Sequence, residues 1–116
     1  MISMDTMKKS KFVPFTKVIP VDTESRFTIL GNDNCNVMHS GFVTLKKGES
    51  IGEHSTHGNE ELIIILEGEA EVEAEGAGRK PVKKGEVAYN PPHTVHNVYN
   101  VNDELLKYIY VVAKVE

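Results

Sequence analysis

The sequence has little of three things that mark several protein classes: cysteine, long apolar runs and excess positive charge. It contains one cysteine, Cys35, and no tryptophan. A single thiol cannot form an internal disulfide, which excludes a disulfide-stapled domain and favours a reducing compartment. The longest apolar run, residues 62–66, has five residues, whereas a helix that spans a bilayer needs about 20. We therefore expect no membrane association.

The N-terminal region and the net charge limit the expected location and partners of the protein. Residues 1–12 lack the apolar core and the small-residue cleavage site of a secretory signal, so we predict a cytoplasmic protein. The chain has 13 Lys and Arg against 17 Asp and Glu, a net charge of −4, with no basic stripe that could contact phosphates. Nucleic acid is therefore not an expected partner.

Residue types that suit strands dominate the 116-residue chain. There are 14 Val, 8 Ile and 7 Thr but only 6 Leu and 5 Ala, and β-branched side chains favour strands over helices. Short apolar or alternating segments are separated by turn-forming clusters, which is typical of a sandwich or barrel. The segments are residues 12–21, 26–30, 37–45, 62–66, 70–74, 86–89, 94–99 and 105–112. We predict one all-β domain over residues 11–116, preceded by a flexible tail at residues 1–10.

Two local patterns refine this prediction. Residues 67–75 carry Glu at every odd position and small or apolar residues at the even ones, which predicts a strand with one wet and one dry face. Residues 45–49, with the sequence LKKGE, and residues 82–86, with the sequence VKKGE, repeat one tight turn 37 residues apart. The repeat indicates two related hairpins in a pseudo-symmetric β structure.

A segment that carries histidine follows each of these turns, and the two segments contain regularly spaced residues. The fixed positions are Gly48, His54, Glu61 and Gly68 in the first segment, and Gly85, Pro91, His96 and Asn100 in the second. Imidazole and carboxylate groups bind divalent first-row metals, and strand residues two apart share one face. The segments are therefore candidates for a metal site.

These segments resemble the two signature motifs of the cupin superfamily, G-x5-H-x-H-x3,4-E-x6-G and G-x5-P-x-G-x2-H-x3-N. The second segment departs only at His93, where the family usually has Gly. The first departs at its second His, because Thr56 occupies that position and His57 comes one residue later. The resemblance covers residues 48–100 and implies a double-stranded β-helix, which is a jelly-roll barrel with a metal inside its mouth.

The resemblance implies that His54, Glu61 and His96 are metal ligands. They would hold one divalent transition metal, which could be Fe, Mn, Ni, Cu or Zn. Glu60 is expected on the opposite face of its strand, as a surface carboxylate. His93 is expected to fill the turn after the two prolines.

The remaining position of the ligand set has two alternatives. If the strand is regular, Thr56 faces inward and His57 points away, which leaves a site with two His and one Glu. If a bulge is inserted at Ser55 or Thr56, His57 turns inward. The spacing from His57 to Glu61 matches the family, and imidazole is a stronger ligand than a hydroxyl. We therefore predict His57 as a further ligand.

The resemblance favours a small metal-dependent enzyme of dioxygenase or isomerase type that acts on a small molecule inside the barrel. The alternative is a non-catalytic module that binds a small molecule or a sugar, because one fold can serve both roles. The sequence contains no Ser-His-Asp pattern, and Cys35 has no evident partner, so no separate catalytic residue is identified.

Small cupins usually pair, and the resemblance therefore predicts a homodimer. The apolar segment at residues 12–21 is a candidate for an extra edge strand that a second copy would cover. Light scattering on the purified protein measures its mass in solution. We expect the mass of two chains, and a monomer would refute the prediction.

Overall fold

The computed structural model describes residues 11–116, and these residues form nine strands in two antiparallel sheets. The strands are β1 (Phe27–Leu30), β2 (Met38–Leu45), β3 (His54–Ser55), β4 (Asn59–Glu67), β5 (Glu69–Ala74), β6 (Gly78–Lys83), β7 (Val87–Asn90), β8 (Val95–Tyr99) and β9 (Leu106–Lys114). The described residues contain no helix, and so none that is long and apolar enough to cross a membrane. The predicted all-β architecture is confirmed, while the predicted tail at residues 1–10 lies outside the described residues.

The two sheets pack around one core. The larger sheet has the strand order β1-β2-β9-β4-β7, and the smaller one has the order β3-β8-β5-β6. Burial alternates along the strands: in β4, for example, Glu61, Ile63 and Ile65 are buried and the residues between them are more exposed. Both sheets contribute to the main apolar cluster, which contains Val43, Leu45, Ile63, Ile65, Ala70, Val72, Val82, Val98, Leu106 and Tyr108. Full burial of each large apolar side chain contributes about 1.5–3 kcal/mol.

The strand β5 has the wet and dry faces that its alternating glutamates predict. Ala70 and Val72 are buried, and the alternating Glu69, Glu71 and Glu73 are only partly buried. On the wet face, the hydroxyl of Tyr99 donates a hydrogen bond to Glu73, with an O–O distance of 3.0 Å. The prediction from residues 67–75 is confirmed.

The repeated sequence at residues 45–49 and 82–86 forms the same turn twice. In each copy the central glycine has a positive φ, 85° and 84° respectively. Each glutamate side chain accepts a hydrogen bond from the backbone N–H three residues earlier, at 2.6 Å for Glu49 and 2.7 Å for Glu86. Each glutamate also donates its own N–H to the carbonyl of that residue, at 3.0 and 2.9 Å. The two copies of the repeat therefore form the same hydrogen-bonded turn.

The first residue of one motif is joined to the last residue of the other. The N–H of Gly48 donates to the carbonyl of Asn100 at 2.8 Å, and the N–H of Asn100 donates to the carbonyl of Glu49 at 3.0 Å. The buried side-chain amide of Asn100 also donates to the carbonyl of Leu45 at 2.8 Å. Asn100 is thus a structural residue that holds the end of β2 beside the end of β8.

The sequence prediction was wrong for residues 12–21, which form no strand. Pro14 and Pro20 lack backbone N–H donors and fix their own φ, so this apolar segment cannot form a regular ladder. Val13 and Val18 remain 73% and 89% exposed. The homodimer stays a prediction, without the edge strand that was expected to support it.

Two strands were not predicted, and each was hidden for a physical reason. The strand β3 has only two residues, too few for any periodic pattern. The strand β6 contains charged residues and Pro81. It lies at the edge of the smaller sheet, where charged side chains and proline are tolerated because one side of the backbone needs no partner.

Gly68, between β4 and β5, is the glycine that the fold constrains most tightly. Its φ is +80°, and a Cβ added there would lie 2.7 Å from the carbonyl oxygen of Leu105. Gly76 provides a matched control, because its φ is +84° and a Cβ there would meet nothing within 4 Å. We expect Gly76→Ala to cost about 1–2 kcal/mol, the penalty for a left-handed residue, and Gly68→Ala to cost clearly more. Urea unfolding measures both free energies, and equal losses would contradict the close approach.

Candidate metal centre

Three of the four predicted ligands come together at the mouth between the sheets. Cross-strand pairing places His54 of β3 directly opposite His96 of β8, and Glu61 reaches them from β4 in the facing sheet. One ligand atom from each of these residues lies within 4.8 Å of the others. Glu61 and His96 are buried whereas His54 is exposed, so the group is open to solvent on one side.

Backbone carbonyls orient both imidazoles in the same way. The Nδ1 atom of His54 lies 2.8 Å from the carbonyl oxygen of Gly52, and Nδ1 of His96 lies 3.1 Å from that of Thr94. A carbonyl can only accept, so each Nδ1 carries the proton and each Nε2 presents its lone pair. Metal-binding histidines commonly have this second hydrogen bond, which fixes the ring and its tautomer.

Glu61 is held by an asparagine that the sequence analysis did not identify. Asn90 lies opposite Glu61 in the pairing of β4 with β7, and its side-chain amide donates to Oε1 of Glu61 at 3.2 Å. Asn90 is almost fully buried. The only signal in the sequence was a polar residue at the end of an apolar segment, immediately before two prolines.

The Nε2 atom of His96 has the surroundings that best fit a bound cation. It lies 2.9 Å from Oε1 of Glu61, yet it is buried and makes no hydrogen bond with any described residue. When Nδ1 of His96 carries the proton, a lone pair of Nε2 faces a lone pair of Oε1 of Glu61. This contact is favourable only with a cation or a proton between the two atoms. The donor set of two nitrogens and one carboxylate oxygen fits a divalent transition metal.

The raised pKa of His96 also indicates that the site favours a cation. Burial lowers the pKa of His96, but its interaction with the Glu61 carboxylate, the carbonyl of Thr94 and the charge of Glu61 raise it further, so the net pKa lies above the ordinary value of 6.5. The site thus favours a positive charge at Nε2. A metal ion bound to the neutral ring would supply that charge.

A cavity of about 290 Å³ adjoins the three ligands. Its remaining walls are apolar or aromatic and consist of Ile51, Ile63, Val98, Tyr108, Tyr110 and Val112. Burial and the charge of Glu61 raise the pKa of Tyr108 well above its ordinary value, so its hydroxyl stays protonated. The cavity therefore offers one polar end, formed by the ligands, and an otherwise hydrocarbon interior with two phenols.

The structure does not bring His57 into this group. The pairing of His54 with His96 continues without a bulge, because the N–H of Thr56 donates to the carbonyl of Thr94 at 3.1 Å. The buried hydroxyl of Thr56 donates to the carbonyl of Pro91 at 2.7 Å. His57 follows with a left-handed φ of 52° and is exposed. Metal binding by His57 stays a prediction that this geometry does not support.

Two neighbouring candidates lie away from the centre. Glu60 accepts a hydrogen bond of 2.7 Å from the exposed hydroxyl of Tyr89, which confirms its place on the outer face of the sheet. His93 is exposed, has a φ of 57°, and its Nε2 lies 2.8 Å from Oε1 of Glu116. His93 is thus a turn residue, as the sequence predicted.

The fold and the site define a class of protein: a two-sheet β barrel with a His-Glu-His group inside its mouth. The family model of the cupin domain matches residues 41–112, which is more than half of the chain. The chain belongs to the cupin family, and its predicted double-stranded β-helix fold is confirmed. No curated protein matches the sequence.

Solved structures show the same fold at low sequence identity. A protein with a double-stranded β-helix domain from Klebsiella pneumoniae has a TM-score of 0.75 and 21% identity, covering 86% of this chain and 91% of that one. A cupin family protein from Methanocaldococcus jannaschii has a TM-score of 0.72 and 19% identity, with 89% and 93% covered. The cupin domain of Schizosaccharomyces pombe Cnp3 has a TM-score of 0.70 and 20% identity. The match covers 78% of this chain and 64% of that one.

Titration of variants with Co²⁺ tests the ligand set. We expect the parent protein to bind one ion per chain, and His54→Ala and His96→Ala each to lose tenfold or more in affinity, about 1.4 kcal/mol. His57→Ala should stay within about threefold of the parent, as should the control His93→Ala, whose exposed ring is paired with Glu116. A loss in His57→Ala equal to that in His54→Ala would establish His57 as a fourth ligand.

Proposed function

We propose that this cupin binds one divalent transition metal through His54, Glu61 and His96 and acts on a small molecule held in the adjoining cavity. The observation that carries the proposal is the buried Nε2 of His96, which lies 2.9 Å from the Glu61 carboxylate without a hydrogen bond. Fe, Mn, Ni, Cu and Zn all accept imidazole and carboxylate ligands, so each is a candidate for the ion.

The roles of the protein residues follow from their contacts. The carbonyls of Gly52 and Thr94 fix the two imidazoles, and Asn90 fixes the carboxylate of Glu61. Three protein ligands would leave further positions of a bound ion open, and such an ion would supply Lewis acidity or oxygen chemistry. The apolar walls would shield a molecule beside it from water on the sides that they line.

The cavity favours a dioxygenase-type reaction over an isomerase-type reaction. An isomerase that moves a proton needs a base close to the substrate. Apart from the three ligands, Tyr108 and Tyr110 are the only polar side chains that line the cavity among the described residues. The raised pKa of Tyr108 keeps its proton in place, so Tyr108 can donate a hydrogen bond but cannot act as a base near neutral pH.

The second candidate is a non-catalytic module that holds a small molecule or a sugar through the metal. The same lack of a base among the cavity-lining residues favours it, because binding requires no proton transfer. The mostly apolar walls fit a hydrocarbon ligand better than a sugar, whose hydroxyls would need more partners than two phenols.

Oxygen consumption distinguishes these candidates. Protein loaded anaerobically with Fe²⁺ is mixed with oxygen and a panel of 1,3-diketones, flavonols and thiols, and the uptake of oxygen is recorded. We expect uptake with at least one compound, loss of that uptake in His96→Ala because Fe²⁺ loses a ligand, and no loss in His93→Ala. Binding of a compound without turnover would support the module, and failure to take up any metal would overturn both candidates.

A further inference from the structure

The charge of the site selects the charge of its ligand. Metal ligation requires neutral imidazoles, so a divalent ion bound by His54, His96 and the carboxylate of Glu61 leaves a net charge of +1. No Lys, Arg or further acid lines the cavity among the described residues. A net charge inside an apolar cavity is costly unless an opposite charge neutralises it. A ligand with a single negative charge balances the site, whereas a neutral or a doubly charged one does not.

The surroundings of the cavity favour an anion as well. An adjoining hollow shares Ile51 and Tyr110 with the metal cavity and includes Arg26. Arg26 is exposed and forms no ion pair with another described residue. An unpaired cation close to the cavity attracts anions without itself being desolvated.

The walls set the size and the character of the ligand. A volume of about 290 Å³ corresponds to about ten water molecules at about 30 Å³ each, and hence to about ten non-hydrogen atoms. Ile51, Ile63, Val98 and Val112 line most of it, so the body of the ligand is mainly hydrocarbon. The ring of Tyr110 closes one side, where it lies over Gly41: a Cβ at Gly41 would be only 2.5 Å from the Tyr110 hydroxyl.

The hydroxyl of Tyr108 supplies an independent sign of a polar group on the ligand. Tyr108 is only 2% exposed and lines the cavity. Its hydroxyl hydrogen-bonds to no other residue within 11–116, so it is free to donate to a molecule in the cavity. A protonated phenol donates well to an anionic oxygen, with about twice the strength of a neutral hydrogen bond.

Resting on the metal-dependent function proposed above, we propose that the cavity takes a monoanionic chelator of about ten non-hydrogen atoms with a mainly hydrocarbon body, one of whose oxygens accepts a hydrogen bond from Tyr108. Such a ligand neutralises the site, fills the apolar volume and accepts a hydrogen bond from the Tyr108 phenol. The charge, the hydrocarbon body and the hydrogen-bonding oxygen of the ligand are thus inferred from three separate features, which are the net charge of the site, the apolar walls and the Tyr108 hydroxyl.

Three chelators separate charge from hydrocarbon content. Tropolone is a monoanion with a hydrocarbon ring, acetohydroxamate as its anion has the same charge with little hydrocarbon, and oxalate is a dianion with none. Each is titrated into the Co²⁺-loaded protein, followed by calorimetry and by the visible spectrum of Co²⁺, and each affinity is divided by that for aqueous Co²⁺. We expect tropolone to rank first by tenfold or more and oxalate last. Equal normalised affinities, or oxalate first, would overturn the proposal.

The variant Tyr108→Phe removes only the hydroxyl, and Tyr89→Phe, on the outer face of the sheet, is its matched control. We expect Tyr108→Phe to bind tropolone at least fivefold more weakly with an unchanged affinity for Co²⁺, and Tyr89→Phe to match the parent. No loss in Tyr108→Phe would refute the hydrogen bond. Failure of the parent to bind Co²⁺ at all would overturn the proposed function and this inference together, while Co²⁺ binding without a preference for tropolone would overturn the inference alone.

Discussion

The contact between His96 and Glu61 depends on both sheets at once. Nε2 of His96 and Oε1 of Glu61 approach to 2.9 Å from opposite walls of the barrel. Two residues further along the same strands, Val98 and Ile63 are part of the apolar cluster. The alternation that buries the core therefore also aims the ligands inward, and the core fixes the distance between the walls because close-packed interiors deform little.

The repeated turns keep this arrangement in register. Each is closed by its own glutamate side chain, and the backbone bonds between Gly48 and Asn100 join the segments that follow them. Gly48 and Asn100 of the motifs thus have structural roles, as do the turn glutamates Glu49 and Glu86, whereas His54, Glu61 and His96 form the site. Spacing between the motifs is constrained because the turns set where each strand starts, and a shift of one residue would turn a ligand to the other face.

The parts of the fold that could be predicted are those with a local signal. The alternating glutamates identified β5, and short apolar or alternating segments between turn-forming clusters indicated β4 and β8. Residues 12–21 gave a false signal, since Pro14 and Pro20 prevent an apolar segment from pairing. The strands β3 and β6 gave no sequence signal, because they have no periodic pattern of their own and are held by backbone hydrogen bonds to β8 and β5.

The sequence by itself determined the β class, the repeated turns, and the spacing that indicated His54, Glu61 and His96. It favoured His57 over Thr56 as a further ligand, whereas in the structure the Thr56 N–H donates to the Thr94 carbonyl, the pairing continues without a bulge, and His57 lies outside the group. Only the tertiary structure brought Asn90 to Glu61 and the phenol of Tyr108 into the cavity. These residues come from different strands of the closed barrel, and their proximity follows from sheet pairing and packing, which leave no local trace in the chain.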